Sequence, residues 1–308
     1  MKVLVTGGSG FIGSHLTEAL LNDGQQVRVF DRRIPSSSDV EWADGDLRWI
    51  GDCDRATRDI DTVFHLAARI SVDESIGYAL QYFNDNLLTT VNVMHAALKN
   101  GVRKFVYTST CEVYGDTSAR NADETYGCNP TSPYAASKYA AERAVLAFGR
   151  TYDLQVVIMR PFNTFGERQK PFVGGAVIPS FILLAHQNKD LIIHGDGSQT
   201  RDYSYVKDVA DAHVFAMKSN VEGQSILNVA TGVGRSIRGV AEQIVQLTET
   251  KSKMKFVDDP RKGAQLKQSI GDSHKLRSLG WQPKWDFEEA LSKTINWYKS
   301  GMSHYQIP

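Results

Sequence analysis

Tyr134 and Lys138 are the two residues of this chain whose types and spacing best suit proton transfer. They are four residues apart in an alanine-rich stretch, so a helix would place both on one face. A tyrosine hydroxyl titrates at about pH 10 when nothing perturbs it, which is too high for a base at neutral pH. A nearby positive charge, such as an ammonium group, stabilises the phenolate and lowers that pKa. The pair is therefore predicted to be catalytic, although the same spacing is also common on solvated helix faces.

Thr110, Cys111 and Glu112 form a second group with suitable chemistry, at the end of a predicted strand over 104–109. The alcohol of Thr110 could hold a substrate hydroxyl. Glu112 could remove a proton from carbon if burial raises its pKa, and Cys111 could donate a proton as a neutral thiol. Two alternatives stay open: Cys111 is a small buried filler, and Glu112 only hydrogen bonds with a substrate hydroxyl.

Three glycines, at positions 7, 10 and 13, separate an apolar run from a helical pattern. A strand, a glycine turn and a helix start together form a pyrophosphate site, because the helix N-terminus offers free N–H groups and a partial positive charge. The first glycine permits a tight turn, the second lets the backbone approach phosphate, and the third lets the helix pack on the strand. The pattern predicts a bound dinucleotide that contacts Gly7, Gly10, Phe11, Ile12 and Gly13.

Asp31 follows a second apolar run, Gln26–Phe30, and suits the hydroxyls of an adenosine ribose. A carboxylate at this position favours NAD over NADP because it repels a 2′-phosphate. Arg32 and Arg33 act against this preference, since either guanidinium could bind that phosphate. NAD is the predicted cofactor.

Strand and helix patterns alternate through the first half of the chain. Strands are predicted over 3–5, 26–30, 62–66, 104–109 and 155–160, and helices over 84–99 and 133–150. Repeated β-α-β units predict an α/β fold, a Rossmann-type doubly wound parallel sheet with helices on both faces.

The second half has a different pattern, in which loops with glycine and proline precede predicted helices over 178–187, 206–218, 237–248 and 287–299. We expect a smaller, discontinuous C-terminal substrate domain there. The predicted NAD-binding domain comprises 1–165 with a later contribution near 203–230, and the substrate domain comprises mainly 166–202 and 231–308.

The composition indicates no nucleic acid or membrane as a partner, because 35 basic and 35 acidic residues leave a formal net charge of zero. No apolar run reaches membrane-spanning length, and the first strand starts at Lys2, which leaves no room for a signal peptide. The three cysteines are too few for a disulfide framework, and the eight histidines include no H-x-x-x-H pair, so no metal site is expected. We expect a cytoplasmic protein.

Motifs along nearly the whole chain resemble those of the extended short-chain dehydrogenase/reductase family, specifically its nucleotide-sugar epimerases and dehydratases. They are Thr6-Gly-Gly-Ser-Gly-Phe-Ile-Gly13, Gly45-Asp46-Leu47, His65-Leu-Ala-Ala68, Glu112-Val-Tyr-Gly115, Tyr134-Ala-Ala-Ser-Lys138, Arg160-Pro-Phe-Asn-Thr-Phe-Gly166, Gly195-Asp-Gly-Ser-Gln-Thr-Arg-Asp202 and Leu279-Gly-Trp281. Several of these motifs are specific, and together they form a strong pattern. The triplet Thr110-Cys111-Glu112 is similar to that of UDP-N-acetylglucosamine 5,6-dehydratase.

The resemblance implies roles for the matching positions. On the cofactor side, it implies adenine contacts from Asp46 and Leu47, contacts on the nicotinamide side from Leu66, Ala67 and Ala68, and a contact of Lys138 with the nicotinamide ribose. On the substrate side, it implies that a nucleotide sugar, most often linked to UDP, is bound by Arg69, Ser71, Asn163, Val177, Arg201 and Arg261. A guanidinium fork suits phosphate oxygens, which supports the role implied for the last two arginines. The family usually has Pro-Gly-Asp or Pro-Gly-Glu after the final arginine, whereas this chain has Lys262-Gly263-Ala264, which leaves the nucleotide open.

The resemblance also implies a homodimer, in which the helices around Met94 and Ala140 pair as a four-helix bundle. Alanines on the second helix would permit a close approach between subunits. Helix propensity and packing within one subunit would explain the same alanines.

Three reactions remain open after a shared first step, in which Tyr134 takes the proton of a sugar hydroxyl, usually on C4, and hydride passes to NAD. In the leading hypothesis, a dehydratase, Glu112 removes the C5 proton and the C6 hydroxyl leaves, so that the product is a 4-keto-6-deoxy sugar or a 5,6-ene. A UDP-hexose or N-acetylhexosamine 4-epimerase, which needs no second base, is the alternative. A UDP-glucuronate decarboxylase ranks third, with Arg69 as the extra cation. A non-catalytic NAD-sensing regulator typically lacks the tyrosine or the lysine, and both are present here.

Overall fold

A parallel sheet of seven strands is the centre of the computed structural model, which describes residues 1–173, 176–219, 221, 223–258 and 266–301. The strands are β1 Lys2–Thr6, β2 Gln26–Phe30, β3 Glu41–Ala43, β4 Thr62–His65, β5 Lys104–Thr108, β6 Gln155–Pro161, β7 Thr164–Phe165, β8 Leu191–His194, β9 Thr200–Asp202, β10 Ser204–Tyr205, β11 Gln224–Val229, β12 Gly234–Ser236, β13 Met254–Val257 and β14 Gln268–Ser269.

Helices connect most of these strands. They are α1 Phe11–Asn22, α2 Ile50–Thr57, α3 Val72–Gly77, α4 Ala79–Phe83, α5 Thr89–Lys99, α6 Pro133–Thr151, α7 Val177–His186, α8 Val206–Lys218, α9 Ile237–Thr248, α10 His274–Ser278 and α11 Phe287–Gly301. A π-helical turn spans Asn84–Leu88 and a 3₁₀ turn spans Cys111–Tyr114. None of the helices in these described ranges combines the length and the apolar character needed to cross a bilayer.

The strand order in the large sheet is β11-β6-β5-β4-β1-β2-β3, and every pair is parallel. The chain leaves β1 toward β2 on one side, whereas β4 pairs with β1 on the other side. The connections therefore diverge at β1 and open a crevice at the carboxyl ends of the strands. The prediction of a Rossmann-type doubly wound parallel sheet is confirmed.

Burial on both faces explains why the first strand reads as a continuous apolar run. Val3 and Val5 belong to one buried cluster, and Leu4 belongs to another on the opposite face of the sheet. All three side chains are fully buried. Successive residues of a strand point to opposite faces, so a strand covered by helices on both sides needs apolar residues at every position.

The segment predicted as one helix over 84–99 differs from the expectation. It begins with the π-helical turn Asn84–Leu88 and continues as α5. The side chain of Asn86 accepts a hydrogen bond from the backbone N of Arg69 (2.8 Å) and donates one to Ser137 Oγ (2.9 Å). π-Helical turns of this kind occur often at functional sites. The short helices α2, α3 and α4 were not predicted either.

The second half of the chain has a separate buried cluster that includes Phe165, Phe181, Ile244 and Tyr298. Strand β11 and helix α8 lie instead with the large sheet, since β11 pairs with β6 and α8 packs against α1. This position agrees with the contribution expected near 203–230, while the exact limits of the two domains stay a prediction.

Asp202 anchors strand β9 through hydrogen bonds with residues outside that strand. Its fully buried carboxylate accepts hydrogen bonds from the backbone N (3.0 Å) and Oγ1 (2.6 Å) of Thr231, and from the backbone N of Gly232 (2.8 Å) and of Gly271 (3.3 Å). Because side chains alternate along a strand, the neighbouring Arg201 points to the other side. Asp202 therefore holds the strand that presents Arg201.

The substitution Asp202→Ala should lower the free energy of unfolding by about 3 kcal/mol, because it leaves several buried donors without an acceptor. Urea denaturation followed by circular dichroism measures this change. Asp196→Ala is the control, because that exposed carboxylate also accepts from a backbone N, that of Ser198 (2.9 Å). The control should leave the urea midpoint nearly unchanged, and an equal loss in both variants would contradict the anchoring role of Asp202.

Candidate active site

A cleft of about 1720 Å³ opens at the carboxyl ends of the central strands and continues between them and the second half of the chain. Such crevices are where open α/β sheets bind ligands. The structure brings most of the predicted residues to its walls: Gly7, Gly10, Phe11, Ile12, Gly13, Asp31, Arg32, Asp46, Leu47, Leu66, Ala67, Ala68, Arg69, Thr110, Cys111, Glu112, Tyr134, Lys138, Asn163, Val177 and Arg201. In the described ranges, no group of three or more His, Cys, Asp or Glu side chains could hold a metal ion.

The glycine loop after β1 leaves no space for side chains. Gly7 has a φ of +71°, and a Cβ there would lie 2.8 Å from the backbone N of Ala67. A Cβ on Gly13 would lie 2.1 Å from the carbonyl oxygen of Gly7. The first turn of α1 therefore sits directly against the loop, with its free N–H groups facing the cleft. This cradle fits the pyrophosphate of a dinucleotide.

Asp31 stands at the end of β2 and is bound to the glycine loop. Its carboxylate accepts hydrogen bonds from the backbone N of Ser9 (3.0 Å) and of Arg33 (3.0 Å). The guanidinium of Arg33 donates to the carbonyl oxygen of Ser9 (2.9 Å), so this arginine is already engaged in closing the loop. Arg32 is exposed at the cleft. The arrangement is the one expected for a carboxylate that accepts from ribose hydroxyls.

The predicted adenine contacts lie just beyond β3. The Asp46 carboxylate accepts two hydrogen bonds from Arg48 Nε (both 3.0 Å), and the hydrogen bonding of Arg48 lowers the pKa of that carboxyl. The carbonyl oxygen of Leu47 accepts from Asn92 Nδ2 (2.9 Å). These bonds fix both residues at the wall of the cleft.

His65 holds the end of β4, where the predicted nicotinamide contacts follow. Its ring nitrogens hydrogen bond with Thr6 Oγ1 (2.7 Å) and Thr90 Oγ1 (3.0 Å). Thr90 donates to the carbonyl oxygen of Asn86 (2.5 Å), so the Nε2 of His65 is the donor toward Thr90. Burial lowers the pKa of His65 to about 3. A neutral, fully hydrogen-bonded histidine therefore fixes the position of Ala67 and Ala68.

Tyr134 and Lys138 lie on the inner face of α6, which begins where Ser132 Oγ accepts from the backbone N of Ala135 (3.1 Å). Lys138 Nζ donates to the carbonyl oxygen of Thr108 (2.7 Å) and lies 4.3 Å from the centre of the Tyr107 ring. Tyr134 packs edge-on against Tyr82. The predicted pair is thus placed in one cleft wall.

Burial shifts the pKa values of both groups, and for Tyr134 the direction differs from the expectation. Burial raises the pKa of the Tyr134 hydroxyl above its ordinary value, and hydrogen bonding with Thr110 opposes that rise. Burial lowers the pKa of Lys138 to about 7, and Glu142 opposes that change. We expected the ammonium to lower the pKa of Tyr134. Instead, loss of hydration dominates for both groups, because both are shielded from water in the wall.

The triplet that contains Glu112 forms a 3₁₀ turn at the end of β5. Thr110 caps this turn, because its Oγ1 accepts from the backbone N of Glu112 (3.2 Å). The turn ends at Gly115, whose φ of +72° is in the left-handed region and whose Cβ would lie 2.4 Å from the carbonyl oxygen of Asn129. The glycine therefore permits the close approach that fixes the turn.

Cys111 lies between the cleft and a small apolar cluster with Val113, Tyr114 and Phe162. Only 3% of its surface is exposed. Burial raises the pKa of the Cys111 thiol to about 12, so the group keeps its proton at neutral pH. Both the role as a proton donor and the role as a filler are compatible with this position.

Two predicted substrate residues meet where β9 crosses the cleft. Asn163 Nδ2 donates to the carbonyl oxygen of Asp202 (3.1 Å), next to Arg201, whose Nη1 donates to the carbonyl oxygen of Thr200 (2.9 Å). Val177 is the first residue of α7. Arg261 and the segment Lys262-Gly263-Ala264 lie outside the described residues.

Ser71 lies apart from the other predicted site residues. Ser71 Oγ caps α3 by accepting from the backbone N of Glu74 (3.1 Å), and it is not among the residues that line the cleft. Arg69 does line the cleft, but its guanidinium is paired with Asp85 (2.7 Å) and Glu74 (2.9 Å). Its charge is therefore largely compensated by this protein's own carboxylates.

Several residues of the cleft were missed by reasoning from the sequence. Asn86 lies behind the wall in the π-helical turn, and His194, Gln199 and Tyr203 line the cleft itself. A polar Asn86 inside an otherwise helical pattern is a signal that could have been used. The other three lie at strand ends and loops, where no spacing rule identifies the side that faces the ligand.

Comparison with known proteins gives consistent matches over the whole chain. The model of the NAD dependent epimerase/dehydratase family matches residues 3–230. The dTDP-D-glucose 4,6-dehydratase of Bos taurus is 34% identical over 332 residues, which cover 99% of this chain and 90% of the bovine protein.

Two solved structures are similar over nearly their full length. The UDP-glucose 4-epimerase of Thermus thermophilus, in complex with NAD, is 34% identical with a TM-score of 0.91, covering 97% of this chain and 99% of that chain. The UDP-glucose 4-epimerase of Thermotoga maritima, with UDP-glucose, is 30% identical with a TM-score of 0.92, covering 98% of this chain and 100% of that chain. The similar proteins thus include a dehydratase and epimerases.

The substitution Gly7→Ala should weaken NAD binding at least tenfold, because the new Cβ would push against the backbone of Ala67 and open the cradle. Titration calorimetry with NAD measures the affinity of the folded variant.

Gly24→Ala is a matched control, since Gly24 has a similar φ of +77° but no atom lies within 4 Å of the added Cβ. Both variants carry the same backbone strain, and only the first crowds the cradle. Unchanged NAD affinity in Gly7→Ala, or an equal loss in Gly24→Ala, would show that the close approach is not what matters.

Proposed function

The chain belongs to the NAD-dependent epimerase/dehydratase family, and we propose that within this family it is a nucleotide-sugar dehydratase that eliminates water across C5 and C6. The observation that carries the proposal is the position of Glu112 and Cys111 in the same cleft wall as Tyr134. Elimination needs a base for the C5 proton and an acid for the departing C6 oxygen in addition to the residue that acts at C4. An epimerase needs only the last of these.

The cofactor site has the residues that NAD requires. The glycine loop would hold the pyrophosphate, Asp31 the adenosine ribose, and Lys138 the nicotinamide ribose. Bound NAD supplies one chemical capacity, the acceptance of hydride from sugar carbon and its later return. The protein's part is to exclude water and hold the sugar, which the buried wall formed by α6 and the 3₁₀ turn can do.

Oxidation at C4 begins with the hydroxyl proton. Tyr134 takes this proton, and Thr110, which hydrogen bonds with Tyr134, holds the same sugar hydroxyl. Because burial raises the pKa of Tyr134, the ionised form must be stabilised by the charges near it when the sugar is bound. Lys138, on the same helix face, is the residue of this chain that is placed to do so.

Elimination follows because a ketone at C4 makes the C5 proton acidic. Glu112 removes that proton, the electron pair of the C5–H bond forms the C5=C6 double bond, and the C6–O bond breaks. The Cys111 thiol donates its proton to the departing oxygen, which leaves as water. A thiol with a pKa of about 12 keeps its proton until so strong a base forms beside it. If the hydride returned to C6, Glu112 would give its proton back to C5 and the product would be the 4-keto-6-deoxy sugar. If it returned to C4, Tyr134 would give its proton back to the C4 oxygen and the product would be the 5,6-ene.

The alternative is a UDP-hexose or N-acetylhexosamine 4-epimerase. The similarity to the epimerases of Thermus thermophilus and Thermotoga maritima supports it. In that case Glu112 only hydrogen bonds with a sugar hydroxyl. A uronate decarboxylase is less favoured, because Arg69 is paired with Asp85 and Glu74 and has little charge left for a second carboxylate. A neutral sugar linked to UDP, as in the Thermotoga maritima complex, is the proposed substrate.

Incubation with UDP-glucose or UDP-N-acetylglucosamine in D2O should yield a product that has lost one water. A 4-keto-6-deoxy product should also carry solvent deuterium at C5, because Glu112 exchanges its proton with solvent. Mass spectrometry and proton NMR read both outcomes. A product of unchanged mass that is inverted at C4 and contains no deuterium would establish the epimerase instead.

Glu112→Gln tests the same proposal from the protein side. The amide cannot take the C5 proton, so elimination should fall by about 10³-fold or more, while oxidation at C4 stays within about tenfold. Cys111→Ser, which keeps a proton donor, should retain more elimination than Cys111→Ala. An equal loss of oxidation and elimination in Glu112→Gln would remove Glu112 from the role of second base.

A homodimer is the proposed assembly. Helices α3, α4 and α5 and the π-helical turn pack beside α6, and the outer surface of this group exposes apolar side chains, including Leu80 at 83% and Leu88 at 54%. Exposed apolar groups of this size are typical of protein interfaces. Met94 itself is buried within its own subunit, so the exposed neighbours on these helices, rather than Met94, would form the contact.

The double variant Leu80→Glu/Leu88→Glu should elute as a monomer, because an interface buries these charges without partners. Size-exclusion chromatography with light scattering should give twice the chain mass for the wild-type protein and the single mass for the variant. Leu247→Glu, at a residue on α9 that is 46% exposed, is the control and should stay dimeric. A monomeric wild-type protein would disprove this assembly.

A further inference from the structure

Glu142 and Arg160 form a fully buried ion pair behind the catalytic wall. Glu142 lies on α6, one helical turn after Lys138, with none of its side chain exposed. Arg160 lies on β6, and its Nε and Nη2 donate to the two carboxylate oxygens of Glu142 at 2.8 Å and 2.5 Å. Neither residue lines the cleft.

A buried pair of this kind is weak evidence for a purely stabilising role. Removing two charges from water costs much of what their attraction returns, and apolar residues of similar size often serve as well. The position of the pair suggests another use. Residues 134, 138 and 142 are spaced by four along α6, so they lie in one row on its inner face.

We propose that Glu142 and Arg160 are positioning residues that set the charge of Lys138. Through that charge they set how strongly Lys138 stabilises the ionised form of Tyr134. The proposal rests on the proposed function only for the shared first step, the oxidation of the sugar at C4. The negative charge of Glu142 favours the charged form of Lys138, and the two hydrogen bonds from Arg160 place an opposite charge directly on that carboxylate. The two charges of the pair therefore largely compensate each other, and removal of either residue leaves the other charge uncompensated near Lys138.

Among the described residues, few other charges lie close enough to Lys138 to change its protonation. The titratable groups that face it are His65 on β4, Tyr107 on β5, and Tyr134 and Glu142 on α6. His65 is neutral, because burial lowers its pKa to about 3. Burial also lowers the pKa of Lys138 to about 7, and Glu142 acts against that shift. The ammonium is thus close to losing its proton at physiological pH, where a neighbouring charge has the largest effect.

The surroundings of Glu142 offer a matched control. Besides Arg160, the carboxylate is approached by Arg143 Nη2 at 3.5 Å, but 47% of the Arg143 side chain is exposed. Water screens that contact. Arg160 is held on its other side by the Tyr114 ring, 4.7 Å from the guanidinium carbon, and Cys128 also lies near it. Both arginines carry one charge near Glu142, and only Arg160 is buried.

The test uses two single variants with opposite expected signs. Glu142→Gln leaves Arg160 as an uncompensated cation, so the pKa of Lys138 falls. The rate of sugar oxidation should then be lost on the alkaline side (the alkaline limb of the pH profile) at a pH about one unit lower than in the wild type. Arg160→Gln leaves Glu142 unbalanced, so the limb moves up by about one unit. The double variant should return to within about 0.3 unit of the wild type. Arg143→Gln should leave the limb unchanged.

The profile is recorded as the rate at which the absorbance of reduced nicotinamide rises in a single turnover with UDP-glucose. A second readout is the pH dependence of NAD affinity by calorimetry, which should shift with the same signs. Both readouts are independent of whether elimination or epimerisation follows. A wild-type protein that neither oxidises a nucleotide sugar nor releases a modified one would contradict the proposed function, whereas the calorimetric shifts would still test the ion pair.

If the alkaline limb moved in the same direction in both single variants, or in neither, the pair would have only a structural role and the proposal would be wrong. Where a neutral variant does not fold, Arg160→Lys takes its place, because it keeps the charge and loses the two-point contact. A limb that stays at the wild-type pH in Arg160→Lys supports the electrostatic role. A limb that moves in that variant overturns it.

Discussion

The close approach between the glycine loop after β1 and the chain after β4 is the constraint on which the rest of the site depends. The backbone of Gly7 meets that of Ala67 so closely that a single carbon would not fit between them. This contact brings the start of α1 beside the end of β4, where the parallel connections diverge. The hydrogen bonds of His65 with Thr6 and Thr90 keep the two strand ends in register. A dinucleotide bound across the crevice would therefore contact the backbone of the glycine loop and the backbone of the chain after β4.

Burial is the second common factor, and it decides the electrostatics of the cleft wall. It moves the pKa values of Tyr134, Lys138 and Cys111 away from their ordinary values, in each case toward the uncharged form. A wall in which these three groups favour the uncharged form responds strongly to any charge that enters the cleft or lies behind the wall. The ion pair of Glu142 and Arg160 is the buried charge that the protein itself places there.

Reasoning from the sequence identified the doubly wound sheet, and most of the site residues that it named line the cleft. It did so because a glycine loop between strand and helix has few other physical interpretations, and because the tyrosine and lysine, whose spacing alone is common, occur together with that loop. Ser71 stays a prediction, and the structure shows that this serine caps a short helix, which a serine before a helix can do as readily as bind a ligand. Reasoning from the sequence missed the π-helical turn at Asn84–Leu88, since that turn depends on a bond from Asn86 to Ser137, far away in the chain.

The sequence by itself determined the fold class, the cofactor and the family, because these depend on local patterns and on short motifs with set spacing. Only the tertiary structure decided which charges are free and which are already paired. Arg69 and Arg33 are both candidate ligand contacts in the sequence, whereas in the structure contacts with Asp85, Glu74 and Ser9 engage them. The direction in which the pKa of Tyr134 shifts likewise depends on how far the cleft wall is shielded from water. Burial and pairing arise from residues that are distant in the chain, and no local pattern contains that information.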